Sequence, residues 1–305
     1  MINKNKVELI LRKIWSKIKV KIIKKFKRGY TLSDDYLIVT ENPNKKLVLR
    51  LKDKKKALNI EKKIGSLVRG IPIPKVYLKE TERKLEGDYY SIIEKMEGEH
   101  FDEVIPRLKT EEIKKLSYEL GEIIGKIHSV KNKYYGKITR DKSSYGYYGT
   151  FYDYYSWRIQ EILDDALKAK LDEKLVEKFI DFVDKNKELV KFKKNASLTH
   201  YDLYPDNIFV KNGKISGIID WHGARWSDNE LDLIKVKWWI FPLSKHIEKS
   251  FFKGYTKHVR LSPDFRNKMK FYEIIEAMAY VVWGKLIKDN SLVKEFMPLL
   301  EKRLK

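Results

Sequence analysis

No cysteine occurs among the 305 residues, which excludes disulfides, thiolate nucleophiles and cysteine-ligated zinc. Glutamine is nearly missing as well, with Gln160 alone. Histidine is confined to six positions, none in H-E-x-x-H spacing, so the common zinc-hydrolase pattern is absent. No apolar run approaches the ~20 residues of a membrane span, and no signal peptide with a cleavage site is visible. A cytoplasmic protein is the expectation. Neither an internal repeat nor a low-complexity linker interrupts the chain.

What is abundant is positive charge. Lysine and arginine number 65 against 43 acids, for a net +22. From Met1 to Arg28 there are eleven basic residues and a single acid, Glu8, so +10 sits in that segment. Within it Val7, Ile10, Leu11, Ile14, Trp15, Ile18, Ile22 and Phe26 recur at steps of three and four, the pattern of an amphipathic helix with a basic back. Three uses are open to it: packing on the body of the protein, peripheral contact with an anionic membrane, or attraction of nucleic acid. Packing is the preferred reading. Abundant Lys, Ile, Tyr and Asn also fit an AT-rich genome, and Lys/Glu enrichment fits a heat-adapted protein. Net charge alone therefore does not argue for nucleic acid. Hydrophobic content of 43% with 13% aromatics is that of a globular chain, long enough for two lobes.

The most informative stretch is His200-Tyr201-Asp202-Leu203-Tyr204-Pro205-Asp206-Asn207, followed by Ile218-Ile219-Asp220-Trp221. H-x-D-x-x-x-x-N supplies a carboxylate that can orient and deprotonate an attacking hydroxyl, and an amide that can hold a metal ion. Asp220, ending an apolar run, is placed to hold Mg²⁺ between ATP phosphates. Between them, Ile208 to Val210 and Ile215 to Ile219 flank Asn212-Gly213, the signature of a β-hairpin. Such a hairpin brings Asn207 and Asp220 to one end of its strands.

These residues resemble the aminoglycoside phosphotransferase and choline kinase superfamily of small-molecule kinases. The resemblance runs from about Gly29 to Asp232. Lys46 to Leu51 looks like the strand that carries a phosphate-contacting cation, here Arg50 where Lys is commoner, with Lys52 two residues on. Glu61 is similar in position to that cation's acidic partner, which would fix its rotamer before substrate arrives. Ile71 to Val76 resembles the family's proline-containing entry to the next strand. Tyr90 to Gly98 resembles the strand and hinge bordering adenine, implying the Glu94 carbonyl and Met96 amide as its contacts. Leu120 to Ser129 resembles the family's long helix ending in Ile-His. The sequence departs from the pattern at Tyr201, where Gly is usual, at Asp206, where Gly often precedes the Asn, and at Gly29 to Asp35, a poor glycine loop.

The implied fold is α+β: a bilobal, protein-kinase-like architecture with a small antiparallel β-sheet N-lobe carrying one helix and a larger, mainly helical C-lobe. The expected division is a basic extension over 1–28, a nucleotide-binding N-lobe over 29–97 and a C-lobe over 98–305. Strands are expected at Asp35 to Thr40, Lys46 to Leu51, Lys75 to Leu78 and Tyr89 to Glu94, and helices at Lys54 to Val68 and from Thr110, read as its N-cap, to Ser129. The implied activity is ATP- and Mg²⁺-dependent phosphorylation of a hydroxyl on a small molecule. Asp202 is catalytic, Asn207 and Asp220 hold the metal, and His200 orients the loop, with His128 a structural helix-end residue. Asp228, Glu230, Asp232 and Trp157 are candidates for the acceptor wall, with Tyr152, Asp153 and Tyr155 nearby; aromatic faces there would suit a quaternary amine or a sugar ring. The competing readings are a catalytically weak nucleotide-binding scaffold and a membrane-recruited kinase of a lipid headgroup or precursor. Ile-Asp-Trp in place of Asp-Phe-Gly, with no Ala-Pro-Glu after it, argues against a protein kinase.

Overall fold

The computed structural model describes residues 2–26, 34–52, 60–79, 85, 89–138 and 147–304, with only the backbone of Asp34 and Lys52. Of the loop expected at Gly29 to Asp35, residues 29–33 lie outside the described residues, as does the side chain of Lys52, while Asp34 and Asp35 open a strand.

In chain order the first elements are α1 (Lys4–Arg12), β1 (Lys19–Lys25), β2 (Asp34–Glu41), β3 (Lys45–Lys52), α2 (Ile60–Leu67), β4 (Val76–Lys79) and β5 (Tyr89–Glu94). The five strands form one antiparallel sheet in the order β1-β2-β3-β5-β4. Here the N-terminal expectation needs correction: the amphipathic segment is not one helix. It breaks after α1, and Lys19 to Lys25 pairs with β2 as an edge strand. Ile18, Val20, Ile22 and Ile23 are β-branched, which favours strand over helix once a sheet edge is available. Glu8, the lone acid, clamps the two pieces by accepting from the Val20 amide at 2.9 Å. Val7, Leu11, Ile18 and Val20 are buried in the small lobe's core, and Trp15 meets Tyr77 edge-on at 5.0 Å. The apolar face offered above to a membrane is thus largely taken up inside the protein.

Leu47, Leu49 and Leu51 alternate along β3 into the small core, as a half-buried strand requires. Arg50 points to the opposite face. Helix α2 follows β3 in the chain, but its buried Ile60 and Ile64 join the core of the large lobe, with Val68 and Ile71 after them. Lys63 donates to the Ile138 carbonyl from the same helix.

The large lobe continues with β6 (Glu99–His100), α3 (Phe101–Val104), α4 (Thr110–Ser129), β7 (Lys131–Asn132), β8 (Tyr135–Lys137), β9 (Tyr147–Tyr148), α5 (Phe151–Lys168), α6 (Glu173–Asn186), β10 (Ala196–Thr199), β11 (Ile208–Lys211), β12 (Lys214–Ile218), β13 (Arg225–Ser227), α7 (Asn229–Lys235), α8 (Ile247–Tyr255), α9 (Phe265–Ile287) and α10 (Asn290–Arg303). Thr110 is the first residue of α4 rather than its cap; the Lys109 amide donates to Glu112 at 2.8 Å and closes the N-terminus. Burial of Ile113, Leu116, Leu120, Ile124 and Ile127 gives α4 the apolar stripe that seats it in the large core. A π-helical turn, Val236–Ile240, follows α7, an irregularity that often marks a functional site. Among the described residues no helix is long and apolar enough to cross a membrane.

Candidate active site

Strand β10 ends at Thr199 and delivers His200, Tyr201 and Asp202 into a loop. Tyr201 has φ +67°, a left-handed conformation costly for a bulky residue, which explains why the resembled family favours glycine there. Asp232 holds the strained turn. Its carboxylate is fully buried and accepts from the amides of His200 at 2.8 Å and Tyr201 at 2.6 Å. It also bonds Nε2 of His128 at 3.0 Å, while the other nitrogen of His128 meets the Tyr255 hydroxyl at 2.9 Å. Burial works against the charge of Asp232, but the bond from His128 holds its carboxyl below the usual range. His200 is buried, and burial lowers its pKa. Nε2 of its ring bonds the Ile219 carbonyl at 2.9 Å and Nδ1 accepts the Asp202 amide at 3.2 Å, which assigns the tautomer through its partners.

The hairpin forms as its turn chemistry demands. Asn212 and Gly213 have φ +52° and +68°, as a tight hairpin turn requires, and Ile208 pairs with Ile218. The Ile219 amide donates to the Asn207 carbonyl at 2.9 Å, so Asn207 and Asp220 meet at the open end. Nδ2 of Asn207 donates to the backbone carbonyl and carboxylate of Asp202, at 2.9 and 3.1 Å. That leaves Oδ1 of Asn207 as a free acceptor. Asp220 also has positive φ, +60°, and its Oδ1 bonds Nδ1 of His222 at 2.7 Å. Burial opposes its charge, but His222 and Arg50 hold the carboxyl well below the usual carboxylate range. Asp202 moves the other way: burial, reinforced by the charge of Asp220, pushes its pKa up to about 6. Two nearby carboxylates with pKa values pushed apart are the arrangement of an acid–base site. One amide oxygen and one or two carboxylates, open to substrate oxygens, match what Mg²⁺ takes from a protein when phosphates complete its shell.

Arg50 is held on both sides. Nη1 donates to Glu61 at 2.5 Å, as expected, and Nε donates to Asp35 at 3.1 Å. Asp35 is its cross-strand neighbour in β2, a partner the sequence reading missed although cross-strand pairing is a regular device. Burial opposes the guanidinium's charge, but Asp35, Glu61 and Asp220 hold its pKa above the ordinary value.

The chain crosses between lobes at Glu94 to Gly98. Met96 lies over Gly217 of β12, where any Cβ would come within 2.9 Å of three Met96 side-chain carbons. Gly98 (φ +119°) lies against β11, where a Cβ would sit 2.3 Å from the Val210 carbonyl oxygen. The crossing is thereby seated on the hairpin that carries Asn207 and Asp220. Ser216 adds a bond to the Glu97 carbonyl at 2.6 Å, and the Ile218 amide donates to the Pro72 carbonyl at 2.7 Å.

Three acceptor-wall candidates do not stand. Asp228 is completely buried, accepting from Lys194 at 2.5 Å and Tyr272 at 2.7 Å and pairing with Lys268. Glu230 pairs with the same lysine at 2.6 Å and accepts from Ser262. Buried and paired, neither can meet a solute; nor can Asp232, which holds the loop. Tyr155 is also buried, against Phe271 and Tyr272. Trp157 remains at the partly open surface, stacked near Tyr148 and Tyr154. The sequence reading missed the rings and charges packed around the loop: Tyr204, Trp239, Tyr280, Lys235, Glu276 and Arg225. The paired aromatic run Trp238-Trp239 was the signal that could have found part of it.

A bilobal fold with an antiparallel small sheet, a seated hinge and this loop–hairpin constellation defines a kinase-like phosphotransferase. The sequence profile of the phosphotransferase enzyme family matches residues 23–266, and the chain belongs to that family of small-molecule kinases. No curated protein sequence matches it significantly. Among solved structures, aminoglycoside phosphotransferase APH(4)-Ia superposes with a TM-score of 0.71 at 16% identity, covering 99% of this chain and 98% of that one. A protein of Thermobifida fusca assigned as a fructosamine-3-kinase gives 0.71 at 14% identity, with 96% and 97% covered. ADP-bound aminoglycoside phosphotransferase APH(2'')-Ib gives 0.66 at 16%, with 99% and 98% covered. At such identities the likeness is one of fold.

Proposed function

We propose that this protein transfers the γ-phosphate of Mg·ATP to a hydroxyl of a small molecule, with Asp202 as the catalytic carboxylate. The carrying observation is the convergence of three separately encoded groups: Asn207 bonds the Asp202 carboxylate at 3.1 Å and, through its backbone, the residue before Asp220 at 2.9 Å. Structural relatives bound to ADP and AMP-PNP support nucleotide use, and dependence on ATP fits a cytoplasmic setting. Arg50, preorganised by Glu61 and Asp35, is the group for the α- and β-phosphates. The Glu94 carbonyl and Met96 amide are the groups for adenine. Asn207 Oδ1 and Asp220 would hold Mg²⁺, which when bound supplies neutralising charge between the phosphate oxygens.

Asp202 orients the acceptor hydroxyl. As the acceptor oxygen bonds to the γ-phosphorus, the bond from phosphorus to the β–γ bridging oxygen breaks, ADP leaves with that electron pair, and the hydroxyl proton passes to Asp202. In so loose a transition state, placement matters more than basicity. His200 and Asp232 serve as positioning residues, because they touch the loop and not the reacting atoms. The test is phosphate transfer from Mg·ATP into a panel of sugars, amino alcohols, nucleosides and hydroxy acids. Transfer to one acceptor, lost in Asp202→Asn with Mg·ATP still bound, is the expected result. Undiminished turnover in that variant, or unchanged Mg·ATP affinity in Asp220→Ala, would refute these roles.

A further inference from the structure

Aromatic rings crowd the loop that carries Asp202. Tyr204 stacks on Trp239 at 4.1 Å, and its hydroxyl meets that of Tyr280 at 2.8 Å. Rings set this way can receive a ligand ammonium, since their faces attract cations. Here the place is filled by the protein itself. Nζ of Lys235 lies 4.0 Å from the centroid of Tyr280, 5.3 Å from Trp238, 5.4 Å from Trp239 and 5.8 Å from Tyr201. It donates to the Tyr280 hydroxyl at 2.7 Å and to Glu276 at 3.2 Å. The other oxygen of Glu276 accepts from the Tyr201 hydroxyl at 2.6 Å. Glu276 is buried with both oxygens committed, so it offers nothing to a second ammonium.

A second cation stands on the other contact of the same tyrosine. The guanidinium carbon of Arg225 lies 3.5 Å from the Tyr201 ring centroid, with Nε donating to the Gly223 carbonyl at 2.9 Å and Nη1 reaching the Tyr154 hydroxyl at 3.3 Å. No carboxylate pairs with it among the described residues, and it is partly open to solvent. The nearby acids are otherwise engaged: Glu161 with Arg158 at 2.6 Å and Glu273 with Lys237 at 2.7 Å. Nε of Arg158 is buried without a partner. Of the loop's own acids Asp206 is exposed but lies by His100 and Asp102, whereas the side of Tyr201 presents the guanidinium of Arg225 with no carboxylate partner among the described residues.

From this placement we propose that the acceptor carries an anionic group, a carboxylate or a phosphate monoester, beside the hydroxyl that is phosphorylated, and that Arg225 receives this group over the face of Tyr201. The proposal rests on the phosphotransferase reading of Asp202 and names its acceptor class. A guanidinium fork matches either anion, and Lys235, already paired with Glu276, occupies the ring faces that a cationic acceptor would need. Polyamine sugars are therefore the wrong substrates for this member of the family.

The experiment uses the full chain and acceptors of matched carbon skeleton: a hydroxy acid, a phosphorylated polyol, the uncharged polyol and the amino alcohol. We expect kcat/KM for an anionic acceptor to exceed that of its uncharged match at least tenfold, with the carboxylate and phosphate arms telling the two sources apart. Arg225→Gln should remove that preference by raising KM for the anionic acceptor, and Arg225→Lys should restore part of it. Equal or better use of the uncharged or amino member by the wild type overturns the proposal, whatever the variants do. Should nothing be phosphorylated, the kinase reading has failed, and binding decides this one. Tryptophan fluorescence is then titrated with the same compounds beside a non-hydrolysable ATP analogue. Saturation by an anionic member, lost in Arg225→Gln, supports the inference; no saturation by any anionic member sinks it.

Discussion

Replacing the residue on which turnover is proposed to depend should make the protein more stable. Asp202 is buried beside Asp220, and these two influences raise its pKa from an ordinary 3.8 to about 6. For a carboxylate this is the unusual direction. Well below pH 3.8 the group is protonated in folded and unfolded chains alike and contributes nothing. As pH rises, the unfolded chain gives up its proton first, so the native state loses stability until both forms are ionised. The gap between 3.8 and about 6 corresponds to about 3 kcal/mol at pH 8. Asp202→Asn keeps shape and hydrogen-bonding capacity beside Asn207 while removing the charge. It should gain about 3 kcal/mol at pH 8, or roughly 5 °C in Tm for a chain of this length, and the gain should shrink to about 0.5 kcal/mol near pH 4. The assay is denaturant unfolding of the nucleotide-free wild type and variant from pH 4 to 8. A variant less stable than wild type at pH 8, or one whose advantage ignores pH, would refute the reasoning.

The same carboxylate must be charged to accept the hydroxyl proton. The pH profile of kcat/KM for the acceptor should therefore rise between about pH 5 and 7 and level off above, whereas a flat profile removes Asp202 as base. Asp232→Asn takes away the acceptor shared by the His200 and Tyr201 amides and His128. It should destabilise the fold by about 3 kcal/mol, and lower kcat about a hundredfold by displacing the loop; native-like melting with full activity would show that the loop stands without it. Because its pKa is depressed, the stability Asp232 contributes should be present above about pH 4 and fall away as pH drops below that. Gly98→Ala places a Cβ against the Val210 carbonyl at a φ of +119° and should raise KM for ATP and lower Tm together. An unchanged KM would detach the hinge from nucleotide binding.

The parts legible in the sequence are those whose signals are local. Asn212-Gly213 between apolar strands announced the hairpin, and the hairpin carried Asn207 to Asp220. The strand at Tyr89–Glu94 was readable end to end. The N-terminal segment misled because Val20 and Ile22 satisfy a helical period and an alternating one at once; their β-branching was the better guide. The acids after Asp220 misled for a different reason. Asp228 finds Lys194 across 34 positions and Asp232 finds His128 across 104, and no local pattern reveals partners at such separations. Arg225, Lys235 and Glu276 were invisible on the same grounds, being ordinary helix and strand residues until folding assembles them.

Helix α2 has its apolar side in the large lobe's core, whereas Arg50 sits on a strand of the small lobe. The bond from Arg50 to Glu61 therefore spans a mechanical joint. Swinging the lobes apart stretches this clasp, and bringing them together fastens it. Any change in the angle between the lobes is thus coupled to the energy of one buried ion pair. If Arg50 takes the phosphates as proposed, an entering phosphate would compete with Glu61 and Asp35 for the same guanidinium, and the departure of the spent nucleotide would depend partly on how readily those two acids reclaim it.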